Sequence, residues 1–374
     1  NELQVINNSI LTHSVGSEFG LQIQAAKVYV DATSSIDATG KGYLGGHQPG
    51  ATNSPAGTTL HGLPGAGSDS AASYGGSARG FGGVTNQVYG SPQDPIYLGS
   101  GGPSRGAAYP GGNGGGRIEI TATDSVNIEG AVLAAGAVGT GNVSGSGSGG
   151  SIKIETSQLK GTGTIAANGG GYQAAGGGGR VAIYYDFLGN LGNDLNQLRN
   201  ITAFAGVGSN SQASAGTVYL KRSDQTLGDL YIDDNKASST AADATRLTTI
   251  GFGTVQAVTA DTITVDSGLV YMPNALVGLK LNPNRDLTTL YTVVANTADT
   301  ITVDTTDKPT LDSIAQAGDS YSGDYRFDNV FFRRGGNLLI GDPLFVAQNL
   351  ALVEYGRLSH QQVTTTFTPY LDLT

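Results

Sequence analysis

One serine in the chain has the sequence context of a hydrolase nucleophile. It lies in Gly102-Pro103-Ser104-Arg105-Gly106, which fits the Gly-x-Ser-x-Gly pattern. That chemistry requires a strand before the serine and a helix after it, because the strained turn between them exposes the hydroxyl. Ser104 instead lies in a glycine-rich stretch that contains proline and is followed by no helical pattern. The sequence therefore predicts that Ser104 is not catalytic.

Paired carboxylates are the other catalytic candidates, since polysaccharide-cleaving enzymes use two close carboxylates or an acidic calcium site with a base. The pairs are Asp233 with Asp234, Asp261 with Asp266, and Asp299 with Asp304. The last two pairs occupy matching positions of a duplicated segment, so the duplication accounts for them. Asp233 and Asp234 end a predicted strand, where turn residues belong, and the nearest base is Lys236. We therefore expect no catalytic residues. Calcium on exposed carboxylates stays open as a cofactor, with its metal ligands unknown.

The glycine and histidine motifs favour structural roles. Residues 145–150 contain the glycine spacing of a dinucleotide-binding loop, but that motif opens a helix, and here a strand pattern follows. His47 and His61 lie in a glycine-rich stretch without neighbouring carboxylates, so they predict no zinc site. His13 and His360 follow Leu-Thr and Leu-Ser, and this recurrence indicates a structural corner. No cofactor-binding residue is predicted.

The composition excludes several classes of protein. Only 13% of the 374 residues are charged and 38% are hydrophobic, so a continuous core must be narrow. The net charge of −10 disfavours nucleic acid as a partner, and no apolar run is long enough to span a membrane. The chain lacks cysteine, and its 59 glycines have no three-residue period, which excludes disulfide scaffolds and collagen. A first residue of Asn rather than Met favours a processed segment of a longer precursor.

A repeated unit dominates residues 1–236. In each copy glycines precede a short strand that alternates apolar and polar residues, and a second strand ends in small residues. A unit this small cannot cover its own apolar stripe, so copies must stack. Stacking aligns two columns of side chains: Ile118, Ile152 and Val181 in one, and Ile120, Ile154 and Ile183 in the other. The sequence predicts an all-β fold built on a right-handed parallel β-helix, or solenoid.

Glycine concentrates between these strands, where a flexible linker would be the default interpretation. Aromatic residues are interleaved with the glycines: Tyr43, Tyr74, Phe81, Tyr89, Tyr97 and Tyr109. Because linkers seldom carry aromatics, we predict that most of these glycine-rich loops are ordered and packed on the solenoid through the rings. Polyglycine II-like packing is the less favoured variant of this prediction.

The composition changes after residue 236, where glycine becomes scarce. The string Thr-Ala-Asp-Thr-Ile-Thr-Val-Asp occurs at 259–266 and again at 297–304, and each copy has the signature of a hairpin. Residues 237–325 are therefore predicted to form an inserted small β-barrel-like module with an internal repeat, and residues 326–374 to resume the solenoid rungs. Short helices are predicted at 194–199 and 311–317.

Several runs resemble a glycine-rich module of very large bacterial surface and secreted proteins. They are SIDATGKGYLGG at 35–46, YGS at 89–91, LGSGG at 98–102 and GGGRVAIYY at 177–185. The resemblance covers residues 1–235. It implies an extracellular or cell-surface location, a repetitive architecture and a role as an adhesin, matrix or filament component, with no catalytic residues carried over.

These patterns predict a non-enzymatic structural or adhesive protein that stacks head to tail with copies of itself, or forms one link of a tandem surface array. Residues 3–5 and 11–13 at the start of the chain match residues 350–352 and 358–360 at its end, so each end can accept another copy. Two alternatives stay open: a carbohydrate-binding or polysaccharide-cleaving β-helix protein, and a phage-type receptor-binding tip. Aromatic side chains beside carboxylates on an exposed β face would favour the first alternative, with surface glycans as partners.

Overall fold

The computed structural model describes residues 1–50, 54–79, 82–141, 144–189, 198–208, 213–236, 240, 243–266 and 268–360. Within these ranges the chain is all-β and contains no α-helix. The 3-10 turns that the structure describes in full are Leu60–Gly62, Leu198–Asn200 and Leu311–Ser313. The helix predicted at 311–317 is therefore wrong, because so short a segment closes a 3-10 turn more readily than it nucleates an α-helix. Of the helix predicted at 194–199, only the last two residues are described, and they belong to a 3-10 turn.

The first stack of strands occupies residues 2–222. It comprises β1 (Glu2–Val5), β2 (Ile10–Leu11), β3 (Leu21–Val30), β4 (Ser35–Asp37), β5 (Arg117–Ile128), β6 (Ala131–Leu133), β7 (Ser151–Lys160), β8 (Thr164–Ala166), β9 (Arg180–Leu188), β10 (Ile201–Thr202) and β11 (Thr217–Arg222). The odd-numbered strands pair in sequence order in one parallel sheet, and the even-numbered strands form a second parallel sheet. The predicted columns are confirmed: Ile118 pairs with Ile152, Ile152 pairs with Val181, and all three are fully buried.

The long strands of the first sheet are bent near their middles. Register shifts interrupt the pairing between Ala25 and Lys27 in β3 and between Ala122 and Ser125 in β5. A bulge of this kind bends its strand. Alternating residues of the long and the short strands lie in one buried core.

The chain reverses direction after β11. The next strand, β12 (Asp229–Asp233), pairs with β11 antiparallel, with Tyr219 opposite Leu230. Only residues 223–228 connect the two strands, which is too short for the crossover that a parallel pair requires. The prediction of parallel rungs throughout residues 1–235 is therefore wrong at β12, and the large sheet is mixed.

A second group of strands lies beyond the reversal. It comprises β12, β13 (Thr245–Arg246), β19 (Ser320–Arg333), β20 (Asn337–Ile340), β21 (Leu344–Leu352) and β22 (Arg357–His360). β12, β19 and β21 continue the large sheet as parallel neighbours, and β13, β20 and β22 form a separate parallel sheet. The part of the predicted rungs that follows residue 360 lies outside the described residues, and the domain boundaries after 236 and 325 stay predictions.

The large sheet separates two hydrophobic cores. Val218 and Leu220 of β11 face the core of the first stack, together with Tyr231 of β12. Tyr219 and Leu230, which alternate with them, face a second core that also contains apolar residues of the segment 252–324. The reversal therefore places the interior of the second group of strands on the opposite face of the same sheet.

Residues 252–324 contain a closed ring of antiparallel strands. Its members are the first part of β19 and β14 (Phe252–Val258), β15 (Thr262–Asp266), β16 (Lys280–Asn282), β17 (Tyr291–Asn296) and β18 (Thr300–Val303). They pair in the order β14-β15-β18-β17-β16-β19-β14. Ile263 pairs directly with Ile301, the same position of the other repeat copy, and a bulge follows Val255 and its counterpart Val293. The two copies of the duplicated string therefore pair through equivalent positions.

Candidate functional site

The glycine-rich segments form a hydrogen-bonded bundle beside the first stack. In the segment 145–150, six consecutive amides donate in turn to three neighbouring segments, each of which accepts twice at an interval of three residues. Gly145 donates to Pro103 and Ser148 donates to Ser100, in the first segment. Ser146 donates to Ala174 and Gly149 donates to Gly177, in the second. Gly147 donates to Ala137 and Gly150 donates to Ala134, in the third, and all six distances are 2.8 to 3.0 Å. A three-residue period is that of the polyproline II helix. These loops are therefore ordered, with the polyglycine II-like packing that the sequence favours less.

The closeness of the backbones makes glycine necessary in this bundle. A Cβ atom on Gly114 would lie 1.9 Å from the carbonyl oxygen of Gly99, and one on Gly149 would lie 2.0 Å from that of Ala167. Neither contact is sterically possible, so a side chain at either position would push two segments apart. The bundle is thus a packed part of the fold, which a flexible linker is not.

Tyrosine rings attach the bundle to the rest of the molecule, as predicted for most of the interleaved aromatics. Tyr43, Tyr74, Tyr89 and Tyr97 are buried. Tyr109 is 49% exposed, and Phe81 lies outside the described residues. Burial raises the pKa of the Tyr74 and Tyr89 hydroxyls, which therefore stay protonated and act as hydrogen-bond donors.

A buried arginine also fastens the bundle to the sheet, and the sequence analysis did not find it. Arg180, the first residue of β9, is fully buried. Its guanidinium donates to the Tyr89 carbonyl oxygen at 3.1 and 3.2 Å and to the hydroxyls of Thr217 and Thr248. The Tyr74 ring centroid lies 5.5 Å from the guanidinium carbon, in cation–π geometry. Burial lowers the pKa of Arg180, but arginine titrates too high to lose its proton in a protein.

The structure brings Ser104 and His47 together. His47 Nδ1 lies 2.5 Å from Ser104 Oγ, although 57 positions separate the residues in sequence. Ser104 is only 1% exposed, and its hydroxyl also lies 3.3 Å from the Pro55 carbonyl oxygen. A nucleophile must face a cleft that admits substrate, whereas this serine is enclosed by glycine-rich segments. We therefore interpret the pair as a structural hydrogen bond.

The carboxylates at the end of β12 are held in ion pairs. Asp233 accepts hydrogen bonds from Arg334 at 2.6 to 3.2 Å and lies 3.3 Å from the Arg333 guanidinium. Asp234 pairs with Lys236 at 2.7 Å, and burial raises the pKa of Asp234 to about 7. Basic groups therefore engage both carboxylates, and we interpret the cluster as a support of the turn.

The aspartates of the duplicated hairpins serve their turns. Asp261 accepts from the Thr259 and Thr262 hydroxyls at its own turn, and Asp299 accepts from the Thr297 hydroxyl at the other. Asp266 and Asp304 lie at and just after strand ends. Their recurrence therefore follows from the repeated hairpin geometry.

The histidines occupy separate environments. His13 Nδ1 donates to the Ser14 carbonyl at 2.8 Å, and Nε2 accepts from the Arg117 amide at 3.3 Å, so His13 joins the first rung to β5. His61 Nδ1 lies 3.5 Å from Glu18 Oε1, although the two residues are far apart in the sequence. The His360 side chain lies outside the described residues. In the ranges that the structure covers, no group of three or more His, Asp or Glu could hold a metal ion, so calcium ligands stay unassigned.

No helix in the described part of the chain is long and apolar enough to cross a membrane. Comparison with protein-family models, with curated proteins and with solved structures found no match to this chain. The resemblance to glycine-rich bacterial surface modules therefore stays a prediction from the sequence.

Proposed function

We propose that this chain is a non-enzymatic structural or adhesive protein of the cell exterior that assembles head to tail. The hydrogen-bonded glycine bundle is the observation that carries the proposal. Its segments are held by backbone bonds to several neighbours, and its closest contacts exclude side chains. Such packing supplies stiffness without placing reactive groups, which suits a building block better than an enzyme.

In this proposal the first stack is a right-handed parallel β-helix that acts as a short rod. The crossover rule for parallel strands supports the right hand. The large sheet supports stiffness, because it carries a hydrophobic core on each face and bending it would disturb both cores.

Open sheet edges support the assembly of copies. β1 pairs only with residues 27–30 of β3, so residues 21–25 have no partner on that side among the described residues. Two apolar side chains lie near this edge and are exposed. Ile10, in β2, is 68% exposed, and Phe19, just before β3, is 80% exposed. An unpaired edge beside exposed apolar side chains readily accepts a further strand. Because the chain reverses after β11, β21 runs opposite to β3, and stacked copies would pair antiparallel.

Sedimentation velocity over a range of concentrations, with negative-stain microscopy, tests this proposal. We expect rods that lengthen with concentration in steps of one chain. Phe19→Lys should shorten them, because it places a charge at the junction. Val84→Lys is the matched control, since Val84 is 81% exposed in the glycine-rich region, outside the terminal strands. A chain that stays monomeric at the highest concentration, or equal effects of the two substitutions, overturns the proposal.

A further inference from the structure

A groove of about 450 Å³ crosses the first stack where its long strands bend. Three consecutive residues from each of the adjacent strands β5, β7 and β9 line it, with the last two residues of β11 and Ser223, which follows them. Thr121, Glu155, Tyr184 and Lys221 begin these triplets and are paired directly across the strands. The groove therefore runs along the stacking direction, and successive triplets follow the spacing of neighbouring strands, about 4.8 Å.

Tyr184 supplies a fixed aromatic surface in this groove. Its hydroxyl donates to the Gln93 carbonyl oxygen at 2.8 Å, and its ring packs edge-to-face on Tyr219 with centroids 5.7 Å apart. The Lys153 ammonium lies 5.9 Å from the ring centroid. Because these contacts hold the ring in place, a ligand that stacks on its exposed part would not have to order it.

The charged groups of the groove are balanced. The lining contains two carboxylates, Glu155 and Asp186, and two cations, Lys221 and Arg222. Arg222 is itself paired with Asp224, and Glu155 is paired with Lys153 through one of its two oxygens. An ionic ligand therefore gains little from the net charge, whereas planar carboxylates beside threonine and serine hydroxyls suit a ligand rich in hydroxyl groups.

We propose that this groove binds a neutral oligosaccharide along the stacking axis. One sugar ring lies against Tyr184, and the sugar hydroxyls donate to Glu155 and Asp186. The site goes beyond the structural role above and does not depend on it, since the groove is formed within a single chain.

Titration calorimetry with cellohexaose, laminarihexaose, maltohexaose and chitohexaose tests the proposal, with hexagalacturonate as the acidic comparison. At least one neutral hexasaccharide should bind with a Kd of about 1 mM or tighter. Tyr184→Ala should weaken that binding at least about tenfold, and Tyr184→Phe should retain it, because the ring carries the contact. Tyr29→Ala is the control, since Tyr29 is also half-buried on the first sheet but does not line the groove.

Unfolding midpoints establish that each variant is folded, and Glu155→Gln serves in place of Tyr184→Ala if the latter does not fold. Absence of binding by all four neutral sugars overturns the proposal. Tighter binding of hexagalacturonate, or equal losses in Tyr184→Ala and Tyr29→Ala, also overturns it. The stacking of copies is measured separately, so failure here leaves the proposed assembly intact.

Discussion

The guanidinium of Arg180 donates two hydrogen bonds to the backbone carbonyl oxygen of Tyr89, and this contact joins the large sheet to the glycine bundle. Thr217 lies on the next strand and Thr248 lies beyond the chain reversal, so one side chain connects three parts of the molecule. Its buried positive charge is stabilised by carbonyl and hydroxyl dipoles and by the Tyr74 ring, and no ion pair of Arg180 is found among the described residues.

Replacing Arg180 with methionine should destabilise the protein by about 3 kcal/mol or more, because buried acceptors lose their donors. Arg199→Met is the control, since Arg199 is exposed in a 3-10 turn. Chemical denaturation measures both free energies of unfolding. Equal values for the two variants would mean that Arg180 does not hold the bundle to the sheet.

Alanine at Gly114 should cost about 2 kcal/mol or more, because its Cβ would lie 1.9 Å from the Gly99 carbonyl oxygen. Gly67→Ala provides the comparison, since the nearest atom to a Cβ there is 3.8 Å away. Thermal unfolding of both variants reports the difference. If Gly114→Ala is as stable as Gly67→Ala, the close backbone packing is wrong.

Ser104 should show no nucleophilic reactivity, since its hydroxyl is buried against His47 and Pro55. A fluorophosphonate probe followed by mass spectrometry of the labelled peptides measures this. Ser104→Ala should cost about 1 kcal/mol for the lost hydrogen bond. Labelling of Ser104 at the rate of a serine hydrolase would contradict the structural interpretation.

Asp342 connects the second group of strands to the residues that directly precede β14, the first strand of the antiparallel ring. Its carboxyl accepts hydrogen bonds from the amides of Ile250 and Gly251, at 2.8 and 2.6 Å. Burial raises the pKa of Asp342 to about 7, a shift that the two amides oppose and nearby Asp324 reinforces. Between about pH 4 and about pH 7, the Asp342 carboxyl is therefore protonated in the folded chain and ionised in the unfolded chain.

Stability should consequently fall as the pH rises from about 4 through about 7, because Asp342 ionises more readily in the unfolded chain. The loss contributed by this residue is on the order of 2–4 kcal/mol. Denaturation of the wild type and of Asp342→Asn at pH 5 and pH 8 measures it, and the variant should lose less stability over this interval. Identical pH dependence in the two proteins would show that Asp342 does not titrate as described.

Local sequence patterns predict the parts of the fold in which neighbouring repeats pair. The column from Ile118 to Ile152 follows from strands that alternate and recur, and the pairing of Ile263 with Ile301 follows from a duplicated string. The reversal after β11 also had a readable signal, because the six residues from 223 to 228 cannot make a parallel crossover. The periodicity of the apolar residues alone, without the lengths of the loops, does not predict this reversal.

Contacts between distant segments could not be predicted in the same way. Arg180 reaches its partners across 37 to 91 positions, and His47 reaches Ser104 across 57. In the glycine bundle, the carbonyl groups that accept hydrogen bonds recur every three residues along each neighbouring segment. The glycines themselves have no three-residue period in the sequence. A single sequence therefore indicates that these loops are ordered but does not indicate which segments pair.

Amide hydrogen–deuterium exchange of the glycine bundle tests the account most directly. Gly147, Gly150 and Gly177 donate to the carbonyl oxygens of Ala137, Ala134 and Ala72, so their amides should exchange as slowly as those of Ile120 and Ile154 in the first stack. Such protection would establish the bundle as a rigid part of the fold, as a structural building block requires. Exchange of the glycine amides at the rate of an unstructured peptide, while the strand amides stay protected, would contradict the account.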